Sequence, residues 1–243
     1  MINTSDSTVC SIKLGRCVLH IRLFHRRAVS QFQDFLVETD DQVDIICTGT
    51  YEKEQYLEQF QGSPWNAYAE YKCLLNLASD AMMPQNQLLF HSAAVLIHDR
   101  VWLLSGASGI GKTTQYRNLK ELHPDDVEII SGDNPVLSFE KDGIMVYPSP
   151  WNGKENYRSM KTGKLAGIVL LKQEKANAIQ PMNPADAVVP AYHEINTYAK
   201  TEEQIHLLAS LEERLITTVP VWTFGNTGDL QSSEMLYQHF LKQ

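Results

Sequence analysis

Long hydrophobic runs are missing from this chain of 243 residues. The longest wholly apolar runs span a few residues, as in Ile168-Val169-Leu170-Leu171, whereas a membrane-spanning helix needs about 20. The first seven residues, Met1 to Ser7, are polar, with neither the basic start nor the apolar stretch of a signal peptide. These absences favour a soluble, cytoplasmic protein with no membrane partner.

Cysteine and basic residues are also scarce. The four cysteines, Cys10, Cys17, Cys47 and Cys73, form no C-x-x-C pair, which argues against a zinc site or a disulfide scaffold and favours reduced, buried thiols. Lys and Arg number 21 against 29 Asp and Glu, for a formal net charge of -8. Broad binding to nucleic acid requires neutralised phosphates, so this composition argues against a nucleic-acid partner.

The remaining composition is that of an ordinary globular protein of one large or two small domains. Short apolar runs at 17–21, 32–37 and 43–46 predict a small antiparallel sheet, and 68–78 has the apolar spacing of a helix. From Leu88 the pattern changes to strands that alternate with turns. We therefore predict a β-rich N-terminal lobe with one helix over residues 1–87, and a second domain over 88–243.

The second domain reads as α/β or α+β, with a central mixed sheet and flanking helices. Asp142-Gly143 supplies the turn of a predicted hairpin. In the helix predicted over 202–215, Ile205, Leu208, Leu211 and Leu215 form the apolar face, and Glu212 is placed on the solvent face. The other predicted strands are 88–97, 101–104, 127–130, 165–171, 178–182 and 219–224, and the other helices are 113–122 and 229–241.

One motif in this domain carries chemistry. Gly106-Ala107-Ser108-Gly109-Ile110-Gly111-Lys112-Thr113 fits G-x-x-x-x-G-K-[ST] between a predicted strand and a predicted helix. Its glycines let successive N–H groups surround phosphate oxygens at a helix N-terminus. Lys112 would bridge the β- and γ-phosphates of ATP, Thr113 would bind Mg²⁺, and Thr114 completes the predicted nucleotide-binding set.

A carboxylate follows the next strand. Asp133 comes after the apolar run 127–130, at the edge where α/β sheets bind ligands. It could hold Mg²⁺ directly or through water, accept a proton from an attacking hydroxyl, or merely cap the turn Gly132-Asp133-Asn134-Pro135.

These motifs together resemble a known family. His91-Ser92-Ala93-Ala94-Val95, the hairpin into the phosphate-binding loop (P-loop), and Gly132-Asp133-Asn134 resemble the C-terminal catalytic domain of HPr kinase/phosphorylase, which is related to ATP-dependent phosphoenolpyruvate carboxykinase. The similarity covers 88–140 well and 141–243 loosely. It implies a P-loop kinase that uses ATP and Mg²⁺ to phosphorylate a hydroxyl, typically of serine. Asp133 would be the catalytic base, and His91 is either a group near the γ-phosphate or a packed core residue.

The chain departs from the family pattern after Asp133. Where the family commonly has two consecutive aspartates, this chain has Asn134, which could offer its carbonyl to the metal or orient a water. The departure favours a second hypothesis, an ATP-binding sensor or assembly protein that uses the P-loop as a switch without transfer. HPr is not carried over as the substrate, because residues 1–87 do not resemble the family's regulatory domain.

The loop 147–158 supplies candidate acceptor contacts. It contains Trp151, Lys154 and Arg158 among turn-forming residues, and it could close over the acceptor. The alternative is a solvated loop held by one buried tryptophan. The acceptor itself, a protein, a peptide or a small alcohol, stays open, and the sequence is compatible with a homo-oligomer.

Overall fold

We describe the fold from a computed structural model, which covers residues 8–23, 30–38, 45–47, 67–153, 155–199 and 201–243. Runs of consecutive strands are separated by helices along the described chain. The strands are β1 (Thr8–Leu14), β2 (Cys17–Leu23), β3 (Ile45–Cys47), β4 (Gln87–Leu89), β5 (Ser92–Ile97), β6 (Arg100–Ser105), β7 (Val127–Ser131), β8 (Val136–Glu140), β9 (Gly143–Tyr147), β10 (Gly163–Gln173), β11 (Ala178–Met182) and β12 (Val221–Asn226). The helices are α1 (Ala67–Met82), α2 (Lys112–Leu122), α3 (Pro184–Glu194), α4 (Glu202–Thr218) and α5 (Leu230–Phe240).

The N-terminal part contains a three-stranded sheet in the order β1-β2-β3. The hairpin β1–β2 is antiparallel, and β3 runs parallel to β2. The strand predicted over 32–37 is wrong, because Gln33–Phe35 forms a short 3-10 helix that buries Phe35. Apolar residues of this sheet and of α1 share one hydrophobic cluster with Leu89, Val136 and Trp151. Since that cluster joins both sides of residue 87, the division into two domains stays a prediction.

The larger sheet has nine strands, in the order β4-β8-β9-β10-β6-β5-β7, with β12 added beside β10 and β11 beside β12. β10 is parallel to β6 and β12 and antiparallel to β9, so the sheet is mixed. This architecture confirms the predicted α/β class with a central mixed sheet.

Side chains alternate between the two faces of the sheet, as the period of a strand requires. On β5, Ala94 and Leu96 join one buried cluster, while Ala93, Val95 and Ile97 join another. α3 and α4 cover the first face, and α2 and α5 cover the second. The sheet is therefore the middle layer of a three-layer sandwich.

The order of β5, β6 and β7 determines where their loops meet. β5 pairs antiparallel with β6 on one side and with β7 on the other, so β6 and β7 run in the same direction. Ser92, at the start of β5, lies opposite Ser105 at the end of β6, and Ala94 lies opposite Ser131 at the end of β7. The segments after β6, after β7 and before β5 therefore converge on one edge of the sheet.

The predicted helix over 202–215 is confirmed by α4, with two exceptions on its surface. Leu208, Leu211 and Leu215 are buried, but Ile205 is 50% exposed. Glu212 is not on the solvent face as predicted: it is buried, one carboxylate oxygen has no hydrogen-bond partner, and burial raises its pKa.

Helix apolarity and cysteine pairing bear on two expectations from the sequence, for the residues that the structure describes. None of their helices combines the length and apolarity needed to cross a membrane. Within the same part of the chain, Cys10, Cys17 and Cys73 are thiols rather than disulfides. The side chain of Cys47 lies outside the described residues.

We expect Leu211→Ala to lower the free energy of unfolding by about 2–5 kcal/mol, because it leaves a cavity between α4 and the sheet. Ile205→Ala is the matched control on the same helix, and its exposed position predicts a change within about 0.5 kcal/mol. Urea unfolding of both variants measures the difference. Equal losses would contradict the assigned buried face of α4.

Candidate active site

Three candidate residues meet at the sheet edge where β6 and β7 end. The P-loop leaves β6 and leads into α2, Asp133 lies two residues beyond β7, and His91 directly precedes β5 rather than lying on the strand as predicted. Ser105 Oγ donates to the His91 carbonyl at 2.8 Å, and the Ser92 N–H donates to the Asp133 carbonyl at 2.6 Å. Hydrogen bonds to backbone carbonyls thus hold the three segments together.

The P-loop has the backbone that an anion cradle needs. Gly106, Gly109 and Gly111 have φ values of 130°, 82° and 113°, which residues with a Cβ rarely adopt. A Cβ placed on Gly109 or Gly111 would meet no atom within 4 Å, so the loop encloses open space. α2 begins at Lys112, and the first N–H groups of a helix have no partner within it. The loop therefore presents donors and a helix N-terminus to the cleft.

Lys112 brings a buried cation into this space. The residue is only 8% exposed, and its Nζ donates to the Gly106 carbonyl at 2.6 Å. Burial lowers the pKa of its ammonium group, while the charges of Asp133 and Glu194 oppose that shift. A phosphate that entered the loop would offer this ammonium a stronger acceptor than a carbonyl.

His91 lies between two carboxylates. Its Nδ1 is 2.7 Å from Glu194 Oε2, and its Nε2 is 3.2 Å from Asp133 Oδ1. Hydrogen bonds to Asp133 and Glu194 raise the pKa of the imidazole, against burial and the charge of Lys112, whose Nζ is also 3.2 Å from Nε2. In the protonated ring both N–H groups would face acceptors. His91 is therefore part of the site.

Asn134 orients Asp133. It was predicted to offer its carbonyl oxygen to a metal, but that oxygen already accepts a hydrogen bond. Its Nδ2 donates to Asp133 Oδ2 at 2.8 Å and to the Trp151 carbonyl at 3.2 Å. Its carbonyl oxygen, the predicted metal ligand, accepts a hydrogen bond from Asn196 Nδ2 at 2.9 Å. The residue is 2% exposed. An amide suits this position because it can donate toward Asp133, which a second carboxylate could not.

Two oxygen donors remain for a divalent cation. Asp133 and Thr113 both line the cleft. Mg²⁺ is commonly held by one or two protein oxygens together with substrate phosphates and water. A carboxylate and a hydroxyl beside a phosphate-binding loop fit that donor set.

These groups line one cleft of about 1070 Å³. Of the predicted nucleotide-binding residues, Ser108, Gly109, Gly111, Lys112, Thr113 and Thr114 line it, whereas Gly106, Ala107 and Ile110 do not. The lining also includes Gln31, Tyr68, Tyr71 and Lys72 of the N-terminal part, together with Asn152, Gly153, Glu155 and His193. No Val, Leu, Ile or Met lines the cleft in the described part of the chain. Its walls are thus polar and aromatic.

The structure corrects the predicted acceptor contact of Trp151. The residue is 1% exposed, and its ring packs edge-on against Phe32 with centroids 5.4 Å apart. Its Nε1 donates to the Tyr71 carbonyl at 2.7 Å. Because the indole is in the core, it cannot touch an acceptor, and the alternative of a loop held by a buried tryptophan fits.

Arg158 is also directed away from the cleft. Its guanidinium pairs with Asp34 and lies over the Phe35 ring, 5.6 Å from the centroid. It therefore fastens the loop to the N-terminal part instead of contacting an acceptor. Lys154 lies outside the described residues, and its role stays a prediction.

Glu194, Asn196 and Tyr71 belong to the site but were not predicted from the sequence. Glu194 is 103 residues from His91 and Asn196 is 62 residues from Asn134, so no local motif joins them. Tyr71 was assigned only to an apolar helix face, yet it lines the cleft, and burial raises the pKa of its hydroxyl, which donates to the Pro150 carbonyl.

Comparisons with known proteins find similarity to solved structures. No family model matches the chain, and no curated protein matches it. Among solved structures, the chain is similar to the HPr(Ser) kinase/phosphatase from Coxiella burnetii, with 12% identity and a TM-score of 0.38 over 63% of this chain and 91% of that chain. A TM-score this low carries no argument about activity.

We expect Asn134→Asp to destabilise the protein by about 1–3 kcal/mol at neutral pH, because it places a second acceptor against Asp133 Oδ2 and the Trp151 carbonyl. Repulsion between the two carboxylates raises their pKa above its value in the unfolded chain. The loss of stability is therefore full at a pH above this raised pKa and decreases as the pH falls below it. Urea unfolding at about pH 5 and about pH 7.5 tests this. A penalty independent of pH would contradict the assigned amide orientation.

Proposed function

We propose that the protein is an ATP-dependent kinase that transfers the γ-phosphoryl group to a hydroxyl. The observation that supports this most strongly is the meeting of the P-loop, His91 and Asp133 in one cleft, with Lys112 Nζ and Asp133 Oδ1 each 3.2 Å from His91 Nε2. This arrangement places cationic groups for a polyphosphate directly beside a carboxylate that can accept a proton.

On the donor side, the P-loop amides and Lys112 would hold the β- and γ-phosphates. Thr113 and Asp133 would hold Mg²⁺, which when bound neutralises charge on those phosphates. Lys112 would exchange its bond to the Gly106 carbonyl for a phosphate oxygen. Because the ammonium is buried, its attraction to that oxygen is weakly screened by solvent.

In the transfer step, Asp133 takes the proton of the acceptor hydroxyl as its oxygen forms a bond to the γ-phosphorus. The bond between that phosphorus and the bridging oxygen breaks, and ADP leaves with the electron pair. Protonated His91, donating to Asp133 Oδ1, keeps the carboxylate in place and adds positive charge beside the phosphoryl group.

The acceptor would enter on the side of the cleft opposite the P-loop. That wall contains Tyr68, Tyr71 and Lys72 from one face of α1, together with Asn152 and His193. Such side chains bind polar and charged groups, so we infer a polar acceptor, such as a serine-containing peptide or a small polyol, and not a lipid.

Lys112→Ala is expected to weaken ATP binding at least tenfold, because it removes the buried cation that faces the phosphates. Calorimetry with Mg²⁺ and ATP measures the affinity. Lys141→Ala, at an exposed hairpin turn, is the matched control and should bind ATP as the wild type does. Equal binding by wild type and Lys112→Ala would mean that the loop does not hold nucleotide.

Asp133→Asn is expected to keep the affinity for ATP without Mg²⁺ within about threefold while phosphoryl transfer falls by about 10²–10⁴, since the amide cannot accept the proton. The readout is ATP consumption with a panel of serine, threonine, sugar and polyol acceptors. Asp125→Asn, at an exposed turn, is the control. Unchanged turnover in Asp133→Asn would overturn its assignment as the base.

The second candidate function is an ATP-binding switch that transfers nothing. It is favoured by Asn134, which leaves Asp133 as the single carboxylate where the resembled family commonly has two. Incubation with γ-labelled ATP followed by mass spectrometry of the acceptor panel separates the two functions. Tight ATP binding with no labelled product would favour the switch.

A further inference from the structure

The chain after α3 runs alongside the residues that precede β5. The His91 N–H donates to the Glu194 carbonyl at 2.6 Å, Ile195 forms an antiparallel bridge with Phe90, and the Asn196 N–H donates to the Leu89 carbonyl at 3.0 Å. Residues 194–196, which we call the positioning segment, are thus fixed to the edge of the sheet beside the cleft.

Glu194 reaches one oxygen of Asp133 through His91. Its Oε2 lies 2.7 Å from His91 Nδ1, and its side chain is 10% exposed. The hydrogen bond at one ring nitrogen determines the orientation of an imidazole and the role of its other nitrogen. Here that other nitrogen, Nε2, lies 3.2 Å from Asp133 Oδ1.

Asn196 reaches the other oxygen of Asp133 through Asn134. Its Nδ2 donates to Asn134 Oδ1 at 2.9 Å and to the Leu89 carbonyl at 3.2 Å. Because Asn134 Oδ1 is an acceptor here, its Nδ2 faces Asp133 Oδ2, at 2.8 Å. When His91 is protonated, each oxygen of the proposed base therefore faces a donor that is oriented by Glu194 or Asn196 of the same segment.

We propose that the positioning segment fixes the Asp133 carboxylate for proton transfer, with Glu194 acting through His91 and Asn196 acting through Asn134. The inference rests on the proposed kinase function. Glu194 and Asn196 are positioning residues, since each reaches Asp133 through an intervening side chain.

Steady-state kinetics of Glu194→Gln and Asn196→Ala test the proposal. We expect kcat to fall about 10–100-fold in each variant, as for other residues that orient a reacting group, while KM for ATP and calorimetric ATP affinity change less than about threefold. Glu234→Gln is the matched control, because Glu234 forms an equally short pair with His123, at 2.7 Å, outside the cleft. It should leave kcat and KM unchanged.

Double variants separate positioning from a general structural effect. If Glu194 acts through His91, Glu194→Gln should add no further loss of kcat to His91→Ala, and Asn196→Ala should add none to Asn134→Ala. Additive losses, or single variants with the wild-type kcat, would overturn the proposal.

A measurement without substrate keeps this inference distinct from the kinase function. In the NMR spectrum of the nucleotide-free protein, we expect a slowly exchanging Nδ1–H proton of His91 that is lost in Glu194→Ala and retained in Glu234→Gln. A proton unaffected by Glu194→Ala would contradict the positioning role. If the NMR signal behaves as expected but the protein phosphorylates no acceptor, the kinase function is refuted. The hydrogen bond between Glu194 and His91 is then still supported.

Discussion

The antiparallel pairing of β5 between β6 and β7 is the constraint on which the candidate site depends. Because β5 runs opposite to both neighbours, its start lies beside their ends, and three segments distant in sequence meet at one edge. Burial holds β5 in this place, since its side chains pack into one hydrophobic cluster on each face of the sheet. The same burial that stabilises the core thus brings Lys112, His91 and Asp133 together.

Trp151 couples this edge to the N-terminal part of the chain. Its ring packs among Phe32 and Tyr71, while its carbonyl accepts hydrogen bonds from the N–H and the side-chain amide of Asn134. The loop approaches so closely that a Cβ on Gly132 would lie 2.7 Å from the Asn152 carbonyl. The N-terminal part therefore contributes a wall of the cleft and also supports the residue that orients Asp133.

Features encoded locally were predictable from the sequence, and contacts between distant residues were not. The glycines of the motif predicted the unusual backbone at Gly106, Gly109 and Gly111, and the apolar runs between turns predicted most strands of the larger sheet. Glu194 and Asn196 carry no local signal, because their function depends on where α3 ends relative to β5. Trp151 shows the same limit: the sequence left open whether it contacts an acceptor or holds the loop from the core, and packing against Phe32 and Tyr71 buries the ring.

The central claim is that this edge of the sheet holds the phosphates of ATP beside Asp133. A crystal structure with Mg²⁺ and a non-hydrolysable ATP analogue tests it most directly. We expect the β- and γ-phosphates to contact the N–H groups of the P-loop. Lys112 Nζ should move from the Gly106 carbonyl to a phosphate oxygen, and Asp133 should face the γ-phosphate. Phosphates bound outside the loop, or separated from Asp133 by the width of the cleft, would contradict it.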